Sequence, residues 1–494
     1  MAEIVPRWEW RTFGSRFGTA EPFFAGLEPD AIQESDELYL LSEGDANVKI
    51  RDELVDVKAL NAVDSAGLEQ WVPVMKAEFP LASADLEKVY DALGLVRSAM
   101  GDQLTQEQLL EELGAEPAIR EVAVQKRRAR HVVGGCTAEV TDLLVEGKPM
   151  RTIAVESEDP EAVVAAVELA GLQGFVNTNY SRGLRAIIED APSRYAVIDV
   201  GTNSVKFHLA ERAKDGTWRA VVDRAEVTRL GEGLREGGSI SPQAMDRTSD
   251  AIAGMVEEAR EHGVLAIAAV GTAGLRMAAN GADVVAGFKE RLGIEVRVIS
   301  GQEEGRLAYL AVKAALGQDH GSIVVFDTGG GSTQFTFGQD DRVLEQYSLN
   351  VGAVRYTERF GLDDVVDADV VEQALNAIAE DLALDDRSRP DALVGMGGTV
   401  TNITAVSLGM AAYDPDLVQG ATLDLGEIDR QIELYRTTPL EGRRAIVGLQ
   451  PKRAEVILAG ACVVKTIVGK LGYESLIVSD RGLRHGLMSE RFGG

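Results

Sequence analysis

The sequence predicts a mixed α/β molecule in which an α+β domain built on an antiparallel sheet precedes two duplicated α/β lobes. Three observations predict it. A polar, proline-containing break, Glu189-Asp190-Ala191-Pro192-Ser193, separates regions of different patterning. Before it, short segments alternate apolar and charged residues, the period-two signature of antiparallel strands. After it, one strand-Asp-Gly-turn-strand unit appears twice among strands that alternate with helical patterns. The chain has 494 residues, which suits two to four domains at ~100–200 residues each. The expected boundaries are 1–190, 195–317 and 318–494.

In the first region the strand-like segments include Leu38 to Leu41, Val48 to Ile50, Val55 to Val57, Val122 to Val124, Ala138 to Val140 and Thr152 to Val155. Ser83 to Val96 and Thr105 to Leu113 carry helix start signals, and Pro160 to Leu172 is a helix with proline in its first turn. In the second region Tyr195 to Val200 and Val205 to Ala210 form a hairpin around Gly201. Met245 to Glu261 places apolar or small residues on one helical face. Leu265 to Val270 and Glu295 to Ile299 are strands, and Glu304 to Leu316 is a helix. From Ser322 the opening unit recurs. Asp199 aligns with Asp327, Gly201 with Gly329, Asn203 with Gly331 and Ser204 with Ser332. Duplication of this kind predicts two lobes facing each other across a cleft.

Composition narrows the partners. Fifty Lys+Arg against 79 Asp+Glu give a net charge of −29, so a diffuse cationic surface for nucleic acid is not expected, and an anion must be held locally. Two cysteines, Cys136 and Cys462, cannot build a disulfide framework and suit a reducing cytoplasm. Met1 to Arg11 has no apolar core of a leader, and Val264 to Leu275 is shorter than the ~20 residues of a membrane span. A cytoplasmic protein with no membrane partner is expected.

The two hairpins carry the chemistry. Glycine lets backbone approach a ligand, and successive N–H groups with Ser and Thr hydroxyls make an anion-binding concavity. Gly201, Thr202, Asn203 and Ser204 form the first candidate phosphate loop, and Gly329, Gly330, Gly331, Ser332 and Thr333 the second. Asp199 and Asp327, at the strand ends, are candidate ligands for a divalent cation, since Mg2+ favours a few carboxylates plus phosphate oxygens. Gly397, Gly398 and Thr399 follow an apolar strand and open a helix, a third place for an anion or nucleoside.

In this order the motifs resemble the actin, Hsp70 and sugar-kinase superfamily with its duplicated ribonuclease-H-like lobes. Within it, they are similar to the exopolyphosphatase and guanosine-pentaphosphate phosphohydrolase (Ppx/GppA) family. The likeness spans 195–494 and rests on IDVGTNSVKF, VGTAGLR (Val270 to Arg276), VISGQEEGRLAY (Val298 to Tyr309), FDTGGGSTQF, GMGGT and SDRGLRHGL (Ser479 to Leu487). The resemblance implies Mg2+-dependent hydrolysis of a terminal phosphoanhydride of inorganic polyphosphate or guanosine polyphosphate lying between the lobes. It makes Glu303 the general base, with Glu304 beside it, and brings in Thr272 and Arg276 as phosphate and charge-stabilising residues. The same Ser300-x-x-Glu303 spacing is also a helix capping box. Where the family carries a glutamate metal ligand, this chain has Gln334. Lys206 reads as a strand-edge charge, and His208 and His320 as bystanders. Relatives commonly dimerise, so a homodimer is an expectation, and the chain resembles the short, two-lobed class.

Charged residues at alternate positions of the first region predict a second anion site. Arg7, Glu9 and Arg11; Lys49 and Arg51; Lys58; Lys126, Arg128 and Arg130; Glu139 and Glu156 would line one face of a closed sheet. The pattern resembles the CYTH, or triphosphate-tunnel, superfamily. Its Glu-x-Glu-x-Lys signature is here Arg7-Trp8-Glu9-Trp10-Arg11, and its late acidic pair is Ala154 and Glu156. Bases kept and acids lost favour holding a polyanion over metal-dependent hydrolysis, and a solvated charged sheet is the alternative. Two readings of the whole follow: a phosphoanhydride hydrolase fed by a polyphosphate-retaining domain, or a binding or sensor protein with little hydrolysis. A kinase of the same superfamily is a third.

Overall fold

The computed structural model describes residues 5–493 except 19, 65–66, 97–101, 214, 233, 235–237, 317–320, 341 and 385–388. His320 therefore lies outside the described residues. The chain divides into two compact units, 1–270 with 278–297 and 491–494, and 271–277 with 298–490.

The first unit opens with a closed eight-stranded barrel. Its strands are β1 (Arg7–Gly14), β2 (Ala31–Leu41), β3 (Asn47–Arg51), β4 (Leu54–Val63), β5 (Glu69–Glu78), β8 (Arg120–Val133), β9 (Cys136–Val145) and β10 (Lys148–Ser157). They run in the order β1-β10-β9-β8-β2-β3-β4-β5, and β5 pairs back onto β1. Every neighbouring pair is antiparallel. A small ladder, β6 (Leu81–Ala82) with β7 (Gln103–Leu104), leads into helices α2 (Ser83–Leu93) and α3 (Gln106–Gly114). Helix α1 (Ala20–Ala25) follows β1, and α4 (Pro160–Leu169) follows β10.

The barrel buries apolar side chains on its outside. Val48, Ile50, Val55 and Val57 pack beneath Leu86, Val89 and Leu93 of α2 and Leu109 and Leu113 of α3. Each fully buried aliphatic side chain of this kind contributes ~1.5–3 kcal/mol, so the strands can turn their other face, the charged one, inward. Period-two alternation then fills the interior with Lys, Arg, Asp and Glu.

Helix α5 (Tyr180–Ile188) closes one end of that interior. Tyr180, Leu184 and Ile187 cluster with inward-facing Phe13, Tyr39, Leu41, Val122, Val124, Leu143 and Val145. Gly183 lies against the Phe13 ring, where a Cβ would come within 2.5 Å. The rim is tied down as well. Ser181 donates to the Ala46 carbonyl (2.9 Å), Arg185 to those of Ser42 and Gly44, and Lys148 to those of Ile187 and Ile188. The barrel is thus a cup with a floor; the sequence patterning predicts the closed sheet and its inward charges but does not place a helix across one end.

After α5 comes a five-stranded sheet of order β13-β12-β11-β14-β15, from β11 (Ser193–Val200), β12 (Ser204–Arg212), β13 (Trp218–Val227), β14 (Ala266–Gly271) and β15 (Val296–Val298). Helices α6 (Pro242–Glu261), capped by Ser241, and α8 (Gly281–Leu292) accompany it. Barrel and sheet are stitched together by Val176 N–H to Leu265 O and Ile267 N–H to Gly174 O, both 2.7 Å. Gly174 needs its left-handed φ of 89° there, and a Cβ would strike the Ile267 carbonyl.

The second unit holds a six-stranded sheet of order β18-β17-β16-β19-β21-β20. Its strands are β16 (Ser322–Thr328), β17 (Thr333–Gln339), β18 (Arg342–Leu349), β19 (Ala392–Met396), β20 (Thr422–Asp424) and β21 (Ser475–Ser479). Helices α7 (Ala273–Met277), α9 (Gly301–Leu316), α10 (Ala353–Phe360), α11 (Ala368–Asp381), α12 (Gly397–Ser407), α13 (Pro415–Val418), α14 (Leu425–Thr437), α15 (Leu440–Arg443), α16 (Ile457–Lys470) and α17 (Leu483–Phe492) complete it. Helix α16 is apolar around its circumference and forms the centre of the largest core, between α10, α11, α12 and α14. Tyr309 and Val312 of α9 pack with Ile323, Val325 and Val394 of β16 and β19. Helix α9 begins three residues before the expected Glu304, which puts Glu303 in its first turn. No helix among the described residues is long and apolar enough to cross a membrane.

Candidate functional site

The two hairpins fold alike. In the first, Asp199 faces Lys206 and Gly201 N–H donates to Ser204 O (3.0 Å); in the second, Asp327 faces Gln334 and Gly329 N–H donates to Ser332 O (2.9 Å). Glycine 201 is needed because a Cβ would come within 2.8 Å of the Ser204 carbonyl. Asp199 is buried. One of its carboxylate oxygens takes a 3.0 Å bond from Lys206, and Oδ1 has no hydrogen-bond partner. Lys206 is therefore the partner of a loop carboxylate inside a paired strand, rather than a charge at a strand edge. His208 is buried with Nδ1 3.3 Å from Asp223, consistent with a structural role.

In the second hairpin the threonines hold the loop. Thr333 Oγ1 donates to Val351 O (2.7 Å), and Thr399 Oγ1 to Thr328 O (3.0 Å). The N–H groups of Ala353 and Val354, at the start of α10, donate to Gly329 O and Gly330 O. Gly397 has φ of 82°, and a Cβ there would strike the Asp327 carboxylate. The GMGGT segment thus seats directly on the aspartate of the hairpin. Gly398 in turn is covered by the Arg453 guanidinium. Arg453 escaped sequence reasoning because nothing local to Pro451–Arg453 signals a loop 55 residues upstream in the chain.

Glu303 and Arg276 each take part in an ion pair, Glu303 with Arg306 and Arg276 with Glu304. Ser300 Oγ accepts from Glu303 N–H (3.1 Å), so half of the capping box is made. The Glu303 carboxylate takes two bonds from Arg306, each 2.9 Å, and Arg306 also pairs with Glu490. The hydrogen bonds it donates to Glu303 hold the Arg306 guanidinium charged, well above its ordinary value, against a smaller opposing effect of burial. Arg276 donates to Ile299 O (2.6 Å) and pairs with Glu304 (3.3 Å), and its own N–H reaches Thr272 O. Arg306 lies in the quoted EEGR segment at i+3 from Glu303, so helical spacing could have found it.

The barrel cup encloses a cavity of about 220 Å³. Seven cations line it: Arg11, Lys49, Arg51, Lys58, Lys126, Arg128 and Arg130. Four carboxylates do too: Glu9, Asp56, Glu139 and Glu156. Arg7 is exposed and pairs with Glu156 at 3.2 Å instead of lining the cavity. Beneath the lining, Glu37 has a fully buried side chain and meets Lys126 (2.9 Å), Lys49 (3.3 Å), Arg128 (3.4 Å) and Arg51 (3.5 Å). Burial alone would raise the Glu37 carboxyl; Lys126, Lys49 and Arg128 outweigh it and hold it well below the usual carboxylate range. Burial pushes Lys126 down to about 7 in spite of Glu37. Its ammonium sits 3.8 Å from the centre of the Tyr180 ring and 4.8 Å from that of Tyr39. Glu37 was legible as the inward neighbour of Tyr39 and Leu41 two and four places on; the sequence reading began at Leu38, one residue past Glu37 and seven inside β2.

Residues 210–492 match the Ppx/GppA phosphatase family. The chain belongs to that family. Exopolyphosphatase 2 of Mycobacterium tuberculosis is 31% identical over 317 residues, covering 60% of this chain and 98% of that protein. The bifunctional 3-dehydroquinate synthase/phosphatase of Fusobacterium nucleatum is 29% identical over 297 residues; the match covers 58% of this chain and 44% of that protein's length. Among solved structures, the Ppx/GppA phosphatase of Aquifex aeolicus aligns with a TM-score of 0.57 at 32% identity over 60% of this chain and 99% of its own. An exopolyphosphatase from Cytophaga hutchinsonii aligns with a TM-score of 0.52 at 25% identity over 60% and 96%. The Ppx/GppA match begins after the barrel, whose closed antiparallel form and charged interior are compatible with a triphosphate-tunnel domain.

Proposed function

We propose that this Ppx/GppA protein is a phosphoanhydride hydrolase that removes the terminal phosphate of inorganic polyphosphate, and that its barrel retains the same polyanion. The observation that carries the first part is the duplicated Asp-Gly hairpin, with aspartate at the same register in each unit, in a chain of this phosphatase family. Glycine-loop N–H groups would grip non-bridging oxygens of the last phosphoryl group. Glu303 would take a proton from water as its oxygen attacks the terminal phosphorus; the bridging P–O bond breaks, and the shortened chain leaves with its electron pair. Arg276, anchored on Ile299 O and paired with the neighbouring Glu304, would supply positive charge.

The residues suit magnesium. Asp327 with the Gln334 amide oxygen offers hard oxygen ligands at the second loop, and Asp199 at the first keeps its buried Oδ1 without a hydrogen-bond donor, Lys206 holding only the other oxygen. The ion, when bound, would offset phosphate charge. Two observations favour the second reading, a binder with slow hydrolysis: a neutral Gln334 opposite Asp327, and Glu303 clamped by Arg306. Phosphate release from long-chain polyphosphate and from guanosine pentaphosphate, measured with magnesium in wild type, Glu303→Gln and Gln334→Glu, separates them. The hydrolase reading expects release by wild type, at least ~10²-fold less for Glu303→Gln, and faster release for Gln334→Glu. Tight binding without release would leave the sensor reading.

A further inference from the structure

The acids of the cup do not suit a divalent cation. Each has a cationic side chain on it: Glu9 has Arg11 (2.7 Å), Glu139 has Arg128 (3.0 Å) and Arg11 (3.7 Å), Glu156 has Arg7 (3.2 Å), and Asp56 has Lys49 (4.0 Å). Glu37 lies under four cations. A magnesium ion would have to expel a guanidinium or ammonium from every carboxylate it took, and would enter an interior where cations already outnumber acids.

The unused groups are those an anion wants. Among the described residues, Lys58 and Arg130 line the cavity with no side-chain hydrogen bond or ion pair. Tyr180 lines the cavity, and its buried hydroxyl has no hydrogen-bond partner. Burial pushes that phenol up to about 12, so it remains a donor near neutral pH. A buried donor without an acceptor costs free energy until a ligand supplies one.

We propose that the cup binds a linear phosphate chain as the bare anion, without a divalent metal. This rests on the reading of the barrel as a polyphosphate site and deepens it: the chain of −29 charge would carry a metal-free phosphate site in its barrel and a magnesium-assisted one in its phosphatase part. Cation side chains do in the cup what magnesium does in the loops. Glu9, Glu37, Asp56 and Glu139 keep the lining cations they pair with extended and apart, so the ligand meets a preorganised set of donors beside the unpaired Lys58 and Arg130.

The test is calorimetric titration of inorganic tripolyphosphate into the full chain carrying Glu303→Gln, in EDTA and again in excess magnesium. Binding in EDTA is expected. It should weaken at least tenfold in Lys58→Ala/Arg130→Ala, whose side chains carry no internal bonds and whose folding is checked by circular dichroism. Tyr180→Phe should weaken it severalfold with no loss of thermal stability. Binding that vanishes in EDTA, returns with magnesium and is then weakened by Lys58→Ala/Arg130→Ala would overturn the metal-free site while leaving the barrel as a phosphate binder; magnesium-dependent binding that those substitutions leave unchanged would belong to the phosphatase loops and would remove the barrel reading as well. Binding in EDTA that Lys58→Ala/Arg130→Ala leaves unchanged would overturn the metal-free site too, because the ligand would then lie elsewhere. No binding in either buffer would remove both this inference and the barrel reading beneath it.

Discussion

Arg306 and Lys126 show how single side chains are set by what surrounds them. The Arg306 fork fixes both oxygens of Glu303 in one plane, a geometry that lysine reproduces poorly. If Glu303 orients the attacking water, Arg306→Lys should lower kcat by ~10- to 100-fold with KM nearly unchanged, since misplacement of a reacting group costs about that much. Steady-state phosphate release gives the split, and an unchanged melting temperature excludes a general folding defect. In the cup, Lys126 is lowered to about 7 by burial. A bound polyanion favours its charged form, so tripolyphosphate binding near pH 8 should take up protons, and affinity should fall as pH rises from about 7. Titrations in two buffers of different ionisation enthalpy measure that uptake; none at pH 8 would count against Lys126 as a ligand. The residue chemistry was partly legible. Alternation announced the inward set from Glu9 to Glu156, because strand period forces it. Arg453 and Tyr180 were hidden, because each reaches its place through tertiary packing that no local spacing encodes.

At the scale of elements, the hairpins were the easiest to see and α5 the hardest. A glycine turn between apolar strands has few alternatives, so both hairpins fold as their spacing predicts. Strands β5, β13 and β18 lacked a clean alternation, since β13 and β18 are largely exposed and β5 is broken by bulges against β4. The plugging helix looked like any amphipathic segment. Its role depends on Gly183 leaving room for Phe13. In Gly183→Ala, overpacking of ~1–3 kcal/mol should outweigh the ~1 kcal/mol gain in helix propensity. A melting temperature lower by a few degrees is expected in calorimetry, together with weaker tripolyphosphate binding in the cup. A more stable variant would mean that the floor yields easily.

For the whole molecule, the balance of 50 basic to 79 acidic residues and the basic interior of the barrel are two sides of one arrangement. The exterior repels polyanions, and only a ligand slender enough to enter the cup meets its cations. Duplex DNA should accordingly fail to compete with tripolyphosphate in a filter-binding assay at ~0.15 M salt, where exposed charges are screened beyond ~8 Å.

The floor laid by α5 has an arithmetical consequence. A socket with one mouth can be entered only by a free terminus, and a linear polymer has two. At saturation, each polyphosphate molecule should therefore carry two copies of the protein's barrel, whether it is tens or hundreds of phosphates long, so sedimentation should find a constant molar ratio and not one that grows with length. Trimetaphosphate, a ring with no terminus to offer, should not compete.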